Sequence, residues 1–172
     1  MALFRVRLAT RRDLHLLVRH RRGMWESMGE RDGRALDEGD RVYRRWARQR
    51  LTSKRLVGFI AEDAAGHAVA SGCIWLRPAQ PRPGFHLRPV PYLMSMFTEP
   101  DYRGRGLARR IVRESIRWCR DRGYPRLTLH ASTQGRSLYR SRGFQRTWEM
   151  RIKLIPSKRG SSRKRRKRVT SS

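Results

Sequence analysis

Residues 92–123 restrict the fold more than any other stretch. They read as a short apolar run, YLMSMFT, a glycine-bearing turn, EPDYRGRG, and a longer segment, LARRIVRESIRWCRDRG. The run is bounded by Pro91 and Glu99-Pro100, as expected of a buried strand. The last segment sets Leu107, Ala108, Ile111, Val112, Ser115, Ile116 and Cys119 on one helical face. Arg109, Arg110, Arg113, Arg117 and Arg120 fall on the other, and Gly123 is the expected stop. A strand that turns through glycines into an amphipathic helix packs that helix on a sheet and turns the helix N-terminus outward.

The rest of the chain supplies the sheet. FRVRLAT alternates apolar and basic residues as a half-buried strand does, and Thr10 with Asp13 is a helix-start signature before Leu14, Leu17 and Val18. That helix should fade by Gly29. A second, over roughly 37–51, is expected to turn Val42, Tyr43, Trp46 and Leu51 inward. RLVGFIAED and HAVASGCIWL flank Asp63-Ala64-Ala65-Gly66 and predict a hairpin. Five prolines between 77 and 91 predict a loop. RLTLHAS predicts a strand, Gly135–Arg142 a short helix, and FQRTWEMRIKLI one or two strands. The order describes an α/β sheet with helices on its faces, in one domain over 1–156. Residues 157–172, SKRGSSRKRRKRVTSS, read as a disordered basic tail.

Charge narrows the partners. The chain carries 42 Lys/Arg against 14 Asp/Glu, a formal +28. Eight of those cations and no acid sit in 157–172, which leaves +20 on 1–156. Such a surface favours phosphate-bearing ligands, and non-specific nucleic-acid contact through the basic tail is one reading. Zinc-finger spacing, leucine-zipper heptads and aromatic RNA-binding motifs are missing. Cys73 and Cys119 stand alone, which argues against a disulfide framework or a metal module. No apolar run reaches membrane-spanning length and MALFRVRLATRRDL lacks a secretory core, so the expectation is a cytoplasmic protein with no membrane partner. Within this basic chain, residues 26–40 are a local −4.

The turn after the apolar strand predicts an anion site on physical grounds. Gly104 and Gly106 remove Cβ atoms that would hold a phosphate away, the helix start offers backbone N–H groups, and Arg103 and Arg105 add charge. The GxGxxG spacing and the GK[ST] of nucleotide loops are absent.

At Arg103-Gly104-Arg105-Gly106-Leu107-Ala108 the sequence resembles the GNAT superfamily of acyl-CoA N-acyltransferases, whose R/Q-x-x-G-x-G/A pattern cradles the coenzyme A pyrophosphate. MSMFTEPDY resembles the family's fourth strand and exit loop, and LHASTQGRSLYRSRGF its second signature. The likeness runs from about residue 3 to 155. It implies a mixed, mostly antiparallel central sheet with helices on both faces, acetyl-CoA as co-substrate without a metal, and a primary amine of a small molecule or peptide as acceptor. It further implies that the backbone of Met96, Phe97 and Thr98 pairs with the pantetheine arm and that Arg103 to Ala108 hold the pyrophosphate. Ser132, where many relatives have Asn, falls on a coenzyme contact. Tyr139 falls where a phenol protonates the leaving thiolate, a task suited to a hydroxyl of pKa about 10. A strand N–H near Met96 would steady the carbonyl oxygen.

The base is open. Some relatives carry Glu on the fourth strand, but 91–98 holds no acid. Glu99 lies beyond the strand end, leaving Glu26, His130 or a water chain. Plainer roles are a solvated helix residue for Glu26 and a hydrogen-bonded strand-end residue for His130. Trp25 and Met28 sit where family members close over the acceptor, although the same spacing suits core residues. The acidic 26–40 segment would draw a cationic amine. Oligomeric state is not legible, a homodimer being one option.

Overall fold

A computed structural model describes residues 4–81, 83 and 89–152. The basic tail 157–172, the end of the FQRTWEMRIKLI stretch and part of the 77–91 loop lie outside the described residues.

β1 (Arg5–Leu8) leads into a capping box in which Thr10 and Asp13 satisfy each other's backbone N–H groups. A 3-10 turn follows, then α1 (Leu14–Ser27), which ends at Gly29, whose φ of +99° suits glycine. α2 (Gly33–Thr52) begins four residues before the expected start, because the Asp32 side chain accepts the Ala35 N–H as N-cap. Its buried residues are Leu36, Tyr43 and Ala47. Val42 is 59% exposed, which corrects its inward assignment: it lies one helical step from Tyr43 and so off the buried face.

β2 (Leu56–Glu62) and β3 (Ala68–Arg77) form the expected hairpin, and β4 (Val90–Thr98), α3 (Leu107–Asp121), β5 (Thr128–Leu129) and α4 (Arg136–Arg140) follow. The sheet order is β1-β2-β3-β4-β5, antiparallel except for the parallel β4–β5 pair. β4 begins at Val90, inside the stretch expected to be loop, and includes Pro91 opposite Leu76. Leu76 donates its N–H to Arg55 on its other side, so this pair asks no ladder bond of the proline.

Helices cover both faces. α3 packs Leu107, Ile111, Val112 and Cys119 against β2, β3 and β4, and its arginines are exposed. Each fully buried aliphatic side chain contributes about 1.5–3 kcal/mol, so this stripe fixes the helix and the turn before it. α1 and α2 cover the opposite face, where Leu17, Val18, Tyr43, Ala47, Leu56 and Cys73 cluster. Both cysteines are buried and free, and burial pushes their thiols up to about 12 for Cys73 and about 11 for Cys119. They are inert packing groups.

Two expectations at the C-terminal end are corrected. β5 is two residues long rather than RLTLHAS, because β4 leaves it after Leu93↔Leu129 and no ladder remains to hold it. Residues 144–152 form no strand although side chains alternate from Trp148 to Ile152. They pair with no described strand, the short outer edge of β5 included, and Trp148, Met150 and Ile152 are 92%, 96% and 78% exposed.

Candidate active site

The sheet opens where β4 carries a bulge. Ser71 pairs with Phe97 and Cys73 with Met94, so Ser95 and Met96 together face Gly72. Ser95 takes a φ of +53°, unusual for a residue with a Cβ. Past Leu93 the bulged strand and β5 separate, and the backbone of Met96, Phe97 and Thr98 lies beyond the β4–β5 pairing. This gap in the sheet has no sequence signal beyond Ser95 itself.

At one end of the gap stands the glycine turn. Gly104 and Gly106 have φ of +76° and +77°, and a Cβ built on either meets nothing within 4 Å. Gly106 is the N-cap of α3, Arg103 to Gly106 are exposed, and the first helical N–H groups lack intrahelical acceptors. The result is an open turn with exposed helix N–H groups and two arginines beside them. Arg103 braces it: Nε donates to the Thr98 carbonyl at 3.2 Å, one terminal nitrogen donates to Ser27 Oγ at 3.0 Å, and the guanidinium lies 6.0 Å over Phe97.

Beneath this turn lies a cluster that motif reasoning missed. His20 of α1 is fully buried, with Nδ1 2.9 Å from Ser71 Oγ, Nε2 3.3 Å from Glu99 Oε1, and its ring against Phe97. Burial, helped by the Arg19 charge, pulls this imidazole down to about 4, so it is neutral at neutral pH. Through these contacts the neutral ring ties α1 to Ser71 of β3 and to Glu99 at the β4 exit, and Arg19 also approaches its Nε2 at 3.5 Å. The one sequence hint is a histidine on the apolar face of α1.

Beside β5 is a cleft of about 1040 Å³ lined by the end of α3, residues 124–131, α4 and the chain from Arg142 to Glu149. Tyr139 and His130 both line it. Tyr139 stacks edge-on against Phe144, and burial followed by the nearby Tyr92 phenol raises its pKa, which keeps it protonated. Ser132 lies close by but its Oγ accepts the Gly135 N–H at 3.2 Å, the start of α4. His130 Nδ1 is 2.6 Å from Tyr92 Oη, and Nε2 is 2.5 Å from Glu149 Oε2. Neither Tyr92 nor Glu149 was legible as a site residue.

Glu26 stands apart from these groups among the described contacts. It lies near the C-terminus of α1 and accepts from Arg22 Nε at 3.2 Å. The same Arg22 takes Asp37 at 2.7 Å and Asp40 at 2.9 Å. Trp25 and Met28 are 37% and 55% exposed, and Arg21 lies 5.5 Å over the Trp25 ring. Among the described residues no group of three or more His, Cys, Asp or Glu could hold a metal, and no helix is long and apolar enough to cross a membrane.

The sheet, the bulge and the turn define a class, and comparison with known proteins agrees. The family model described as the acetyltransferase (GNAT) family matches residues 20–144, and the chain belongs to that family. It is an acyl-CoA N-acyltransferase. A GCN5-related N-acetyltransferase from Ralstonia eutropha JMP134 is 26% identical, with 88% of this chain and 99% of that one covered at a TM-score of 0.79. A predicted acetyltransferase from Clostridium acetobutylicum, solved with acetyl-CoA, is 27% identical, with 89% and 96% covered at 0.77. The fold extends to AAC(6')-Iy, solved with the bisubstrate analogue CoA-S-monomethyl-acetylneamine, at 22% identity, 90% and 99% coverage and 0.60. A search of curated protein sequences gave no match.

Proposed function

We propose that the protein transfers an acetyl group from acetyl-CoA to a primary amine by direct attack within a ternary complex. The observation that carries this reading is the opening of the sheet past Leu93↔Leu129, with the Arg103–Ala108 turn following β4 and His130, bonded to Tyr92, following β5.

The backbone from Arg103 to Ala108 would hold the pyrophosphate, and the free edge of Met96, Phe97 and Thr98 would pair with the pantetheine arm. Bound there, acetyl-CoA supplies the thioester. Tyr139 then has one task, to give its phenolic proton to the departing sulfur. A thiolate whose thiol has a pKa near 8.5 is a good leaving group that needs only modest help, and the raised phenol pKa keeps this proton in place until the C–S bond breaks. A β4 N–H at the bulge, near Met96, would steady the carbonyl oxygen. Ser132 has a hydroxyl hydrogen left after accepting the Gly135 N–H and would offer it to the coenzyme. His130 is the better placed base. Glu26 is engaged by Arg22.

The acceptor is a small-molecule or peptide amine, and Trp25 and Met28 are the exposed apolar groups at the end of α1 to receive it. Arg22 engages three of the six carboxylates of residues 26–40, so this segment attracts a cationic amine less than its formal −4 suggests. The bisubstrate analogue in AAC(6')-Iy joins coenzyme and amine in one molecule, which accords with a ternary complex.

The test is amine-dependent release of coenzyme A thiol. The full chain is given acetyl-CoA with glycinamide, a polyamine, an aminoglycoside and peptides, and acetylated products are identified by mass. Transfer to at least one amine is expected. Acetyl-CoA binding that vanishes in about 0.3 M salt, where screening acts within roughly 6 Å, would overturn the reading. Tight, salt-sensitive binding of duplex DNA that needs residues 157–172 would then favour a nucleic-acid role.

A further inference from the structure

The chain after Phe144 joins no sheet among the described residues, yet it returns one carboxylate to the catalytic cleft. Glu149 Oε2 meets His130 Nε2 at 2.5 Å and Glu149 Oε1 meets Arg151 at 3.1 Å. His130 Nδ1 meets Tyr92 Oη at 2.6 Å, with the two rings 5.5 Å apart. We propose that Tyr92, His130 and Glu149 form a chain that accepts the proton released by the attacking amine, with Glu149 as the positioning residue. This rests on the acetyltransferase reading above.

The direction of the chain follows from donor and acceptor counting. Arg151 first, then His130, hold the Glu149 carboxyl below its ordinary range, so it is an anion and only accepts. His130 therefore carries its hydrogen on Nε2. A neutral imidazole then has a bare Nδ1, which can only accept, and Tyr92 donates its O–H to it. Tyr92 Oη keeps lone pairs for an incoming proton.

The step balances. The amine nitrogen forms a bond to the acyl carbon and the C–S bond breaks. The amine proton passes to Tyr92 Oη as the Tyr92 proton passes to His130 Nδ1. The resulting imidazolium is paired with the Glu149 carboxylate and returns its proton to water, since the His130 side chain is 45% exposed. Tyr139 protonates the sulfur and takes a proton back from water, so one amine proton in all ends on the thiol. Tyr139 lines the same cleft as His130 and Glu149, and Tyr92 joins them through His130.

The charged and titratable neighbours set the balance of this imidazole. Arg77 of β3 lies 4.8 Å over the Tyr92 ring, Arg136, Tyr139 and Arg140 of α4 line the cleft, and Arg151 flanks Glu149. Among these cations Glu149 is the anion that meets the His130 ring.

Two readouts on the full-length chain test this. Long-range proton–nitrogen NMR of His130 is expected to show the Nε2–H tautomer, and Glu149→Gln to perturb that tautomer. With glycinamide as the amine, Glu149→Gln is expected to lower kcat by about tenfold or more and move the ascending limb of kcat/KM to lower pH. Acetyl-CoA affinity should stay unchanged, and Glu149→Asp should restore part of the rate. Tyr92→Phe should lower kcat while leaving the His130 tautomer alone. An Nδ1–H tautomer in the native protein, or a pH profile indifferent to Glu149→Gln, overturns the chain. Failure of the native protein to bind acetyl-CoA, read separately by calorimetry, overturns the functional reading instead.

Discussion

Substitution of Gly106 separates backbone strain from the anion site it frames. Gly106 holds φ +77° at the N-cap of α3, and a Cβ there meets nothing within 4 Å. Gly106→Ala therefore costs the left-handed strain alone, about 1–2 kcal/mol. At about 2–4 °C per kcal/mol for a chain of this size, the melting temperature should fall by several degrees. Gly106→Glu carries the same strain and adds a carboxylate at the mouth of the turn. Against a pyrophosphate of about two negative charges at about 6 Å, the repulsion runs from about 1.4 kcal/mol in bulk water to about 5.5 kcal/mol at an effective dielectric constant near 20. Acetyl-CoA should therefore bind the Glu variant at least about tenfold more weakly than the Ala variant, while the two melt together. Calorimetric titration in about 0.3 M salt reads the affinities with diffuse attraction screened. Equal affinities for the two variants would refute the placement of the pyrophosphate.

Three further outcomes are expected. Tyr139→Phe should lower kcat about tenfold or more with acetyl-CoA affinity unchanged, and an unaltered rate in the thiol-release assay would remove the phenol from the acid role. Gly23→Ala places a Cβ 2.6 Å from Phe97 Cζ, a rigid ring on β4, so overpacking of about 1–3 kcal/mol should outweigh the helix-propensity gain of about 1 kcal/mol. Its melting temperature and acetyl-CoA affinity should both fall, and an unchanged affinity would uncouple Phe97 from the coenzyme. Folded His20 titrates at about 4 against 6.5 for a free imidazole, so the unfolded chain binds the extra proton between those values. The stability it confers is present above pH 6.5 and is lost as pH falls toward 4, about 3 kcal/mol in all. Denaturant unfolding should show that loss in the native protein and less of it in His20→Gln.

The sequence made the layers legible because local signals and tertiary packing agree there. The Thr10–Asp13 capping box, the hairpin about Asp63–Gly66 and the apolar stripe of α3 need no distant partner to be recognised. The Arg103–Ala108 turn was equally plain, since its glycines and arginines are contiguous. Features that arise between segments were not legible. The bulge at Ser95 and Met96 depends on the facing Gly72 of β3, and the shortness of β5 follows from that bulge. His20 reads as an ordinary apolar-face residue until Ser71 and Glu99 are folded onto it. Tyr92 and Glu149 are 57 residues apart and meet only through His130. Residues 148–152 show the opposite case, in which an alternation of side chains pairs with no described strand.

The account stands on where acetyl-CoA sits, and backbone amide NMR reads that directly. Acetyl-CoA is titrated into the labelled full chain in about 0.3 M salt. Saturable shifts centred on Met96 to Thr98 and Arg103 to Ala108, extending to Tyr139, are the expected result. Shifts spread along the exposed arginines of α3, or abolished by the salt, would contradict the account.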